Sequence, residues 1–204
     1  VDEAIAAGYI KCNACFDTSL PIGDIVLERI IAQELIKSVT INYEIQNEHK
    51  DFKKTWLSET LSSHNFHNTI KENSAIYLLK IIAEQLSLNI KESFHIRLHS
   101  VWENKYLEND YQEKHEHPGS HFSFIIYKDI QQSNTIFVNP VEKLIASYYH
   151  GVDIKLFEPS FKPECRSGQM IIFPSFIEHM VLKHNNSVTI AGNIIIEKDD
   201  SIHR

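Results

Sequence analysis

The spacing of apolar residues changes near Lys91, and this change restricts the folds open to the chain more than any other feature. Phe94, Ile96 and Leu98 alternate with polar residues, which is the period of a strand with two unlike faces. Short apolar segments separated by turn residues follow as far as residue 197. We predict strands at 94–98, 123–127, 135–138, 153–157, 169–173, 178–182 and 188–197.

The residues before Lys91 have helical spacing instead. A helix is predicted from Pro21 to Ser38, and the polar residues 42–54 and the segment 55–66 are interpreted as a loop and a short element. A second helix is predicted from Asn73 or Ser74 to about Leu86. Its buried face is expected to contain Ile76, Leu79, Ile82, Ala83 and Leu86.

These patterns together predict an α+β fold in a single domain, residues 1–204. Residues 91–198 are expected to form a double-stranded β-helix, a cupin-like jelly-roll, because many short strands with turns between them close into two facing sheets. The mainly helical residues 1–90 are expected to pack on this barrel, where they could cap it, form a homodimer interface, or do both.

Composition excludes several classes of function. A formal net charge of −7 argues against nucleic-acid binding, which needs a basic surface. No apolar run approaches the ~20 residues that cross a bilayer, so no membrane role is expected. The 3 cysteines form no disulfide framework, which indicates a reducing compartment and predicts a cytoplasmic protein. The pair Cys12 and Cys15 lacks the further ligands that a structural zinc site requires.

A pair of histidines predicts a metal site. Glu113, His115 and His117 alternate, so they would share one face if this segment is extended. Imidazoles and a carboxylate are ligands that first-row transition metals prefer, and His179, after a Pro-Ser turn, is the candidate distant ligand. Glu113 is either a reserve ligand or a residue that orients an imidazole. The alternative interpretation is a solvated, histidine-rich strand that binds nothing.

Several motifs occur in a fixed order between about Ser93 and Glu197. They are Trp102-Glu-Asn-Lys with Tyr106, His115-Glu-His-Pro-Gly-Ser, Ser123-Phe-Ile-Ile-Tyr, Gly168-Gln-Met-Ile-Ile-Phe-Pro-Ser, His179 and Ala191-Gly-Asn-Ile. Taken together, they resemble the 2-oxoglutarate- and Fe(II)-dependent oxygenases, in the small group often found in marine bacteria and their phages.

The resemblance implies iron held by His115, His117 and His179 near one open end of a double-stranded β-helix. It also implies that 2-oxoglutarate binds this metal through its keto acid end and is decarboxylated to succinate. With O2, a C–H bond of a second substrate would be hydroxylated. That substrate would be a small molecule or a protein side chain.

Two positions depart from the family pattern. His117 occupies the place of the usual carboxylate ligand, so the direct interpretation is a three-histidine site. Ser187 stands where an arginine is expected to clamp the distal carboxylate of 2-oxoglutarate; Arg97, Lys128 or Lys183 could supply the missing charge instead. The expected cosubstrate contacts are Ser187, Thr189, Tyr127, Arg97, Ser123 and Asn193.

The sequence therefore predicts a non-haem Fe(II)-dependent oxygenase that uses 2-oxoglutarate. Two alternatives stay open at this point. One is a three-histidine cupin-type iron dioxygenase that does not use 2-oxoglutarate, which the residues at positions 117 and 187 favour. The other is a non-catalytic metal-binding or structural β-barrel module.

Overall fold

The computed structural model describes residues 37–41, 45–46, 53–54, 61–62, 70–87, 94–142, 147, 159–183 and 186–198. Cys12, Cys15, the predicted strand 153–157 and most of the predicted first helix lie outside these residues. The elements are β1 (Lys37–Thr40), β2 (Lys53–Lys54), β3 (Leu61–Ser62), α1 (Glu72–Ser87), β4 (Phe94–Tyr106), β5 (Gln112–His115), β6 (Phe122–Asp129), β7 (Thr135–Val138), β8 (Ser160–Phe161), β9 (Gln169–Pro174), β10 (His179–Val181) and β11 (Ser187–Lys198).

Within the described residues, these strands form two antiparallel sheets. The larger sheet has seven strands in the order β1-β9-β6-β11-β4-β3-β2, and the smaller has four in the order β5-β10-β7-β8. Neighbouring strands in each sheet are often distant in sequence, as expected for a jelly-roll. The predicted fold class, a double-stranded β-helix with helical structure packed on it, is confirmed.

The larger sheet is covered on both faces. One face packs under α1, where Phe124 and Ile126 of β6 contact the cluster that contains Leu78 and Ile82 of the helix. The other face is turned toward the smaller sheet. Ile125 on this face belongs to a second buried hydrophobic cluster. This double cover explains why residues 123–127 are buried without interruption and why their sequence does not alternate.

Helix α1 confirms the second predicted helix, but its buried face differs from the prediction. The buried residues are Ser74, Leu78, Ile82 and Leu86, whereas Ile76 is 60% exposed. Apolar side chains occur on most sides of this helix, so spacing alone does not select the face that packs. Ser74 lies inside the first turn, and its hydroxyl accepts a hydrogen bond from the Gln46 backbone N–H.

The described residues before α1 correct two boundaries. Lys37 and Ser38 belong to β1, so the predicted helix cannot extend to Ser38, and Lys53–Lys54 is a strand where a loop is predicted. These two strands form the edges of the larger sheet: β1 pairs with β9, and β2 pairs with β3, which in turn pairs with β4. Such pairing depends on the partner strand more than on the edge strand's own pattern. That residues 1–90 are mainly helical and that the chain is one domain stay predictions.

Two features of the barrel affect the site. β4 extends eight residues beyond its predicted end and reaches Tyr106, which places Trp102, Asn104 and Tyr106 on one face. β10 and β5 pair with an irregular register, in which His179 faces His115 but Val181 faces Gln112. Within the described residues, no helix has the length and apolar character needed to cross a membrane.

Candidate active site

Two histidines of the smaller sheet and a third that follows β5 meet at one point. His115 ends β5, His179 begins β10 directly opposite it, and His117 follows two residues after β5. One ring nitrogen of each lies within 4.8 Å of the others. Among the described residues, this cluster contains no carboxylate. The arrangement therefore brings together the three predicted ligands and corresponds to the three-histidine interpretation.

The second ring nitrogen of each histidine is held by a carbonyl oxygen. His115 Nδ1 lies 2.7 Å from the Glu113 backbone oxygen, and His179 Nδ1 lies 3.1 Å from the Ile177 backbone oxygen. His117 Nδ1 lies 2.6 Å from Oδ1 of Asn193. Because a carbonyl oxygen can only accept, each Nδ1 donates, and in the neutral ring Nε2 then keeps its lone pair. All three imidazoles are thus fixed in the tautomer that can bind a metal through Nε2.

Asn193 is the centre of a buried polar network behind His117. Its Oδ1 also accepts a hydrogen bond from the Ser123 hydroxyl at 2.8 Å, and its Nδ2 donates to Ser100 Oγ at 3.1 Å. Ser123 in turn contacts the Ser175 hydroxyl at 2.8 Å. Asn193 and Ser123 are expected from the sequence to contact the cosubstrate. The structure places them outside the pocket wall, where they orient His117 instead.

Burial disfavours the charged form of two of the three histidines. Desolvation lowers the pKa of His179 well below its ordinary value, and the neighbouring His115 and His117 lower it further. Burial also lowers the pKa of His115, against a smaller opposite effect of its hydrogen bond to Glu113. Neutral imidazoles are the form that metals require, so the folded chain prepares these side chains for coordination.

Glu113 does not join the cluster through its carboxylate. Its side chain is exposed, and only its backbone carbonyl contacts His115. The irregular register between β5 and β10 explains this, because an extra residue in β5 lets Gln112 and His115 both line the pocket. The strict alternation that would place Glu113 beside His115 is therefore broken.

An open pocket extends from the three histidines along the inner face of the larger sheet. Trp102 and Ala191 are cross-strand neighbours near the metal end, and the next pairs along β4 and β11 are polar. The polar residues that line this far part include Asn104, Tyr106, Gln112, Tyr127, Ser187 and Thr189. Three of the predicted cosubstrate contacts, Tyr127, Ser187 and Thr189, therefore line the pocket.

The cations considered from the sequence lie elsewhere. Arg97 is exposed and pairs with Glu197 at 3.3 Å, because it lies near the opposite end of β4. Lys128 pairs with Glu103 at 3.3 Å, and the Lys183 ammonium lies 5.5 Å from the Tyr111 ring centroid. Among the described residues, no lysine or arginine lines the pocket. The expectation that Arg97 contacts the cosubstrate does not agree with this placement.

Sequence reasoning missed Asn104 and Gln112 as pocket residues. Asn104 lies two residues from both Trp102 and Tyr106, so the two-residue strand period could have placed all three on one face. Gln112 had no such signal, since the irregular register of β5 determines its direction.

Comparison with known families gives one match to part of the chain. Residues 100–191 match the model of a family described as "Putative 2OG-Fe(II) oxygenase". No curated protein matches the chain.

Among solved structures, HygX from Streptomyces hygroscopicus with nickel, 2-oxoglutarate and hygromycin B bound is 9% identical and has a TM-score of 0.49. The alignment covers 82% of this chain and 86% of HygX. A Pseudomonas putida prolyl-4-hydroxylase is 11% identical, with coverage of 83% and 96% and a TM-score of 0.45. A 2OG-Fe(II) oxygenase family oxidoreductase from Burkholderia pseudomallei is 14% identical, with coverage of 83% and 78% and a TM-score of 0.43. The family match covers residues 100–191, the same part of the chain that contains most of the ordered motifs.

Proposed function

We propose that this protein is a non-haem Fe(II)-dependent oxygenase that couples decarboxylation of a 2-oxo acid to hydroxylation of a second substrate. The observation that carries the proposal is the convergence of His115, His117 and His179 at one end of a pocket inside a family-matched strand core. In the overall reaction, one atom of O2 enters the new carboxylate and the other enters the hydroxyl group, while CO2 leaves.

The residues fit the iron that the family implies. Three neutral imidazoles, each with its Nε2 lone pair free, form a donor set suited to a divalent first-row metal. Three protein ligands leave further coordination positions for a chelating cosubstrate and oxygen. When bound, iron supplies the oxygen chemistry that amino-acid side chains cannot perform.

The surrounding side chains position the ligands and exclude water. The Trp102 ring stacks on His117 with centroids 5.5 Å apart, and Phe173 meets the edge of His179 at 4.9 Å. Phe137 stacks on His179 with centroids 5.6 Å apart and also contacts Phe173. These aromatic contacts restrict rotation of the imidazoles and keep this end of the pocket dry, which limits side reactions with water.

Anaerobic titration with Fe(II) tests the metal site. The parent protein should bind one equivalent, and a His179→Ala variant should lose this binding. His99→Ala is a matched control, because His99 is exposed and lies outside the cluster. Equal iron content in the parent and the His179→Ala variant would exclude the site.

Product analysis tests the reaction. The iron-loaded protein should develop a weak visible absorption band when a 2-oxo acid is added without oxygen, and should release CO2 when oxygen is admitted. Oxygen uptake with a chelating substrate and no 2-oxo acid would support a different class of dioxygenase. The hydroxylated substrate is proposed to be a small molecule or a protein side chain, and a cytoplasmic location and a homodimer stay predictions.

A further inference from the structure

We infer that the far end of the pocket selects a 2-oxo acid with an uncharged, hydrogen-bond-donating end, such as a carboxamide, over one that ends in a carboxylate. This inference rests on the proposed function, because it concerns the cosubstrate of the same site. Its basis is the chemistry of the described residues that form the far wall.

The register of the strands locates this far end. Trp102 stacks on His117 and pairs across the sheet with Ala191, so this pair lies level with the histidine cluster. Side chains two residues further along a strand face lie about 7 Å away. A five-carbon 2-oxo acid chelated near the histidines would therefore extend to the next residues on the face. These residues are Asn104, Thr189 and Tyr127, with Tyr106 and Ser187 beyond them.

Among the described residues, no lysine or arginine lines this part of the pocket, and the Lys162 ammonium lies behind Asn134, to whose Oδ1 it donates at 3.0 Å. Every described side chain of the far wall is neutral, and Ser187 and Thr189 are buried hydroxyl residues. Burying an unpaired carboxylate is far more costly than burying an uncharged amide that forms hydrogen bonds. The charge of the wall thus favours an uncharged end.

The hydroxyl protons of the two tyrosines of the wall are already used within the protein. Tyr106 donates to Gln112 Oε1 at 3.1 Å, and Tyr127 donates to Thr135 Oγ1 at 2.9 Å. Ser133 donates to the Tyr127 oxygen at 3.0 Å. A carboxylate can only accept hydrogen bonds, so it would need to break one of these contacts to obtain a hydroxyl donor. A group with N–H donors can use the remaining oxygen lone pairs.

The side-chain oxygen of Asn104 is a hydrogen-bond acceptor that receives no hydrogen bond from the described residues. Its residue is 3% exposed, it lines the pocket, and its Oδ1 has no hydrogen-bond partner within the described structure. Buried polar atoms normally have a partner, so this oxygen indicates a donor supplied by the occupant of the pocket. Burial also raises the pKa of both Tyr106 and Tyr127, which reflects surroundings that disfavour negative charge.

Binding of three matched ligands tests the inference. N-oxalylglycine, N-oxalylglycinamide and N-isobutyloxamate share one oxalyl head and end in a carboxylate, a carboxamide and two methyl groups. Their dissociation constants can be measured by calorimetry on the anaerobic Fe(II)-loaded protein. We expect the carboxamide to bind at least about tenfold more tightly than the other two, as one or two added hydrogen bonds would give.

Three variants make the test sharper. Ser187→Arg introduces a cation and should reverse the preference toward N-oxalylglycine, whereas the uncharged Ser187→Gln control should retain the preference for the carboxamide. Asn104→Leu should reduce the advantage of the carboxamide over N-isobutyloxamate. Circular dichroism and iron content establish that each variant is folded and loaded.

The outcomes separate this inference from the proposed function. Equal or tighter binding of N-oxalylglycine by the parent protein would overturn the inference and leave the oxygenase proposal intact. Equal binding of N-isobutyloxamate and the carboxamide would show that the pocket does not require a hydrogen-bond donor on the ligand, which would also overturn the inference. If the iron-loaded protein binds none of the three ligands, both the inference and the use of a 2-oxo acid are wrong.

Discussion

Replacing Asn193 by alanine should weaken metal binding although Asn193 does not line the pocket. Its Oδ1 receives the His117 Nδ1 proton at 2.6 Å and fixes the tautomer that exposes Nε2. Loss of a residue that orients a metal-binding histidine typically lowers metal affinity 10- to 100-fold, which is about 1.4 to 2.8 kcal/mol. Ser123 keeps Ser175 as a partner in the variant, so most of the loss should come from His117.

Competition with a chromophoric chelator measures the iron affinity of the variant. Asn193→Asp should restore most of the affinity, because a carboxylate oxygen can accept the same proton. Ser100→Ala is the matched control, since it removes the hydrogen bond at the other side of the same amide. Nitrogen NMR of His117 should show a mixture of tautomers only in the alanine variant. Unchanged affinity in Asn193→Ala would refute this role.

Three further predictions concern stability. Ile82→Ala truncates a fully buried side chain of α1 and should lower the free energy of unfolding by about 2–5 kcal/mol. Ile76→Ala truncates an exposed side chain and should change it by less than about 0.5 kcal/mol. Equal effects in urea denaturation would contradict the assignment of Ile82 to the buried face of the helix. Gly192→Ala would place a Cβ 2.4 Å from the Phe124 ring and 2.7 Å from the Ser100 backbone oxygen, so a loss of about 1–3 kcal/mol is expected, and an unchanged melting temperature would argue against this close approach. The pKa of His179 is lower in the folded than in the unfolded protein, so the unfolded state binds the proton first as pH falls. The metal-free protein should therefore lose stability below about pH 6.5. His179→Gln should reduce this loss between about pH 7.5 and 5.5, and an identical dependence of the unfolding free energy on pH in both proteins would count against the buried neutral imidazole.

The sequence predicted the parts of the fold in which local pattern and burial agree. The strand around Phe124 has two covered faces, so a short apolar segment bounded by turns was sufficient to identify it. The position of His179 after a Pro-Ser turn likewise pointed to the start of a strand. The three-histidine cluster could be anticipated because each ligand carries its own chemical signal in the sequence.

Other features depend on contacts that no local pattern records. The hydrogen bond between His117 and Asn193 joins residues 76 positions apart. The direction of Glu113 depends on an irregular register with β10, and the strand at Lys37 depends on an open edge of β9. The buried face of α1 was ambiguous because apolar residues occur on several of its sides. In each case the partner in space determines the outcome.

The three carbonyl oxygens that hold the histidines have a consequence for the order in which ligands bind. Neither the described imidazoles nor their carbonyl partners carry charge, so they would leave a divalent ion with its full charge. An anionic chelating head would then gain much of its affinity from the ion. By thermodynamic linkage, the cosubstrate must raise the affinity for the metal by the same factor. Metal retention in this protein should therefore increase with the concentration of its 2-oxo acid.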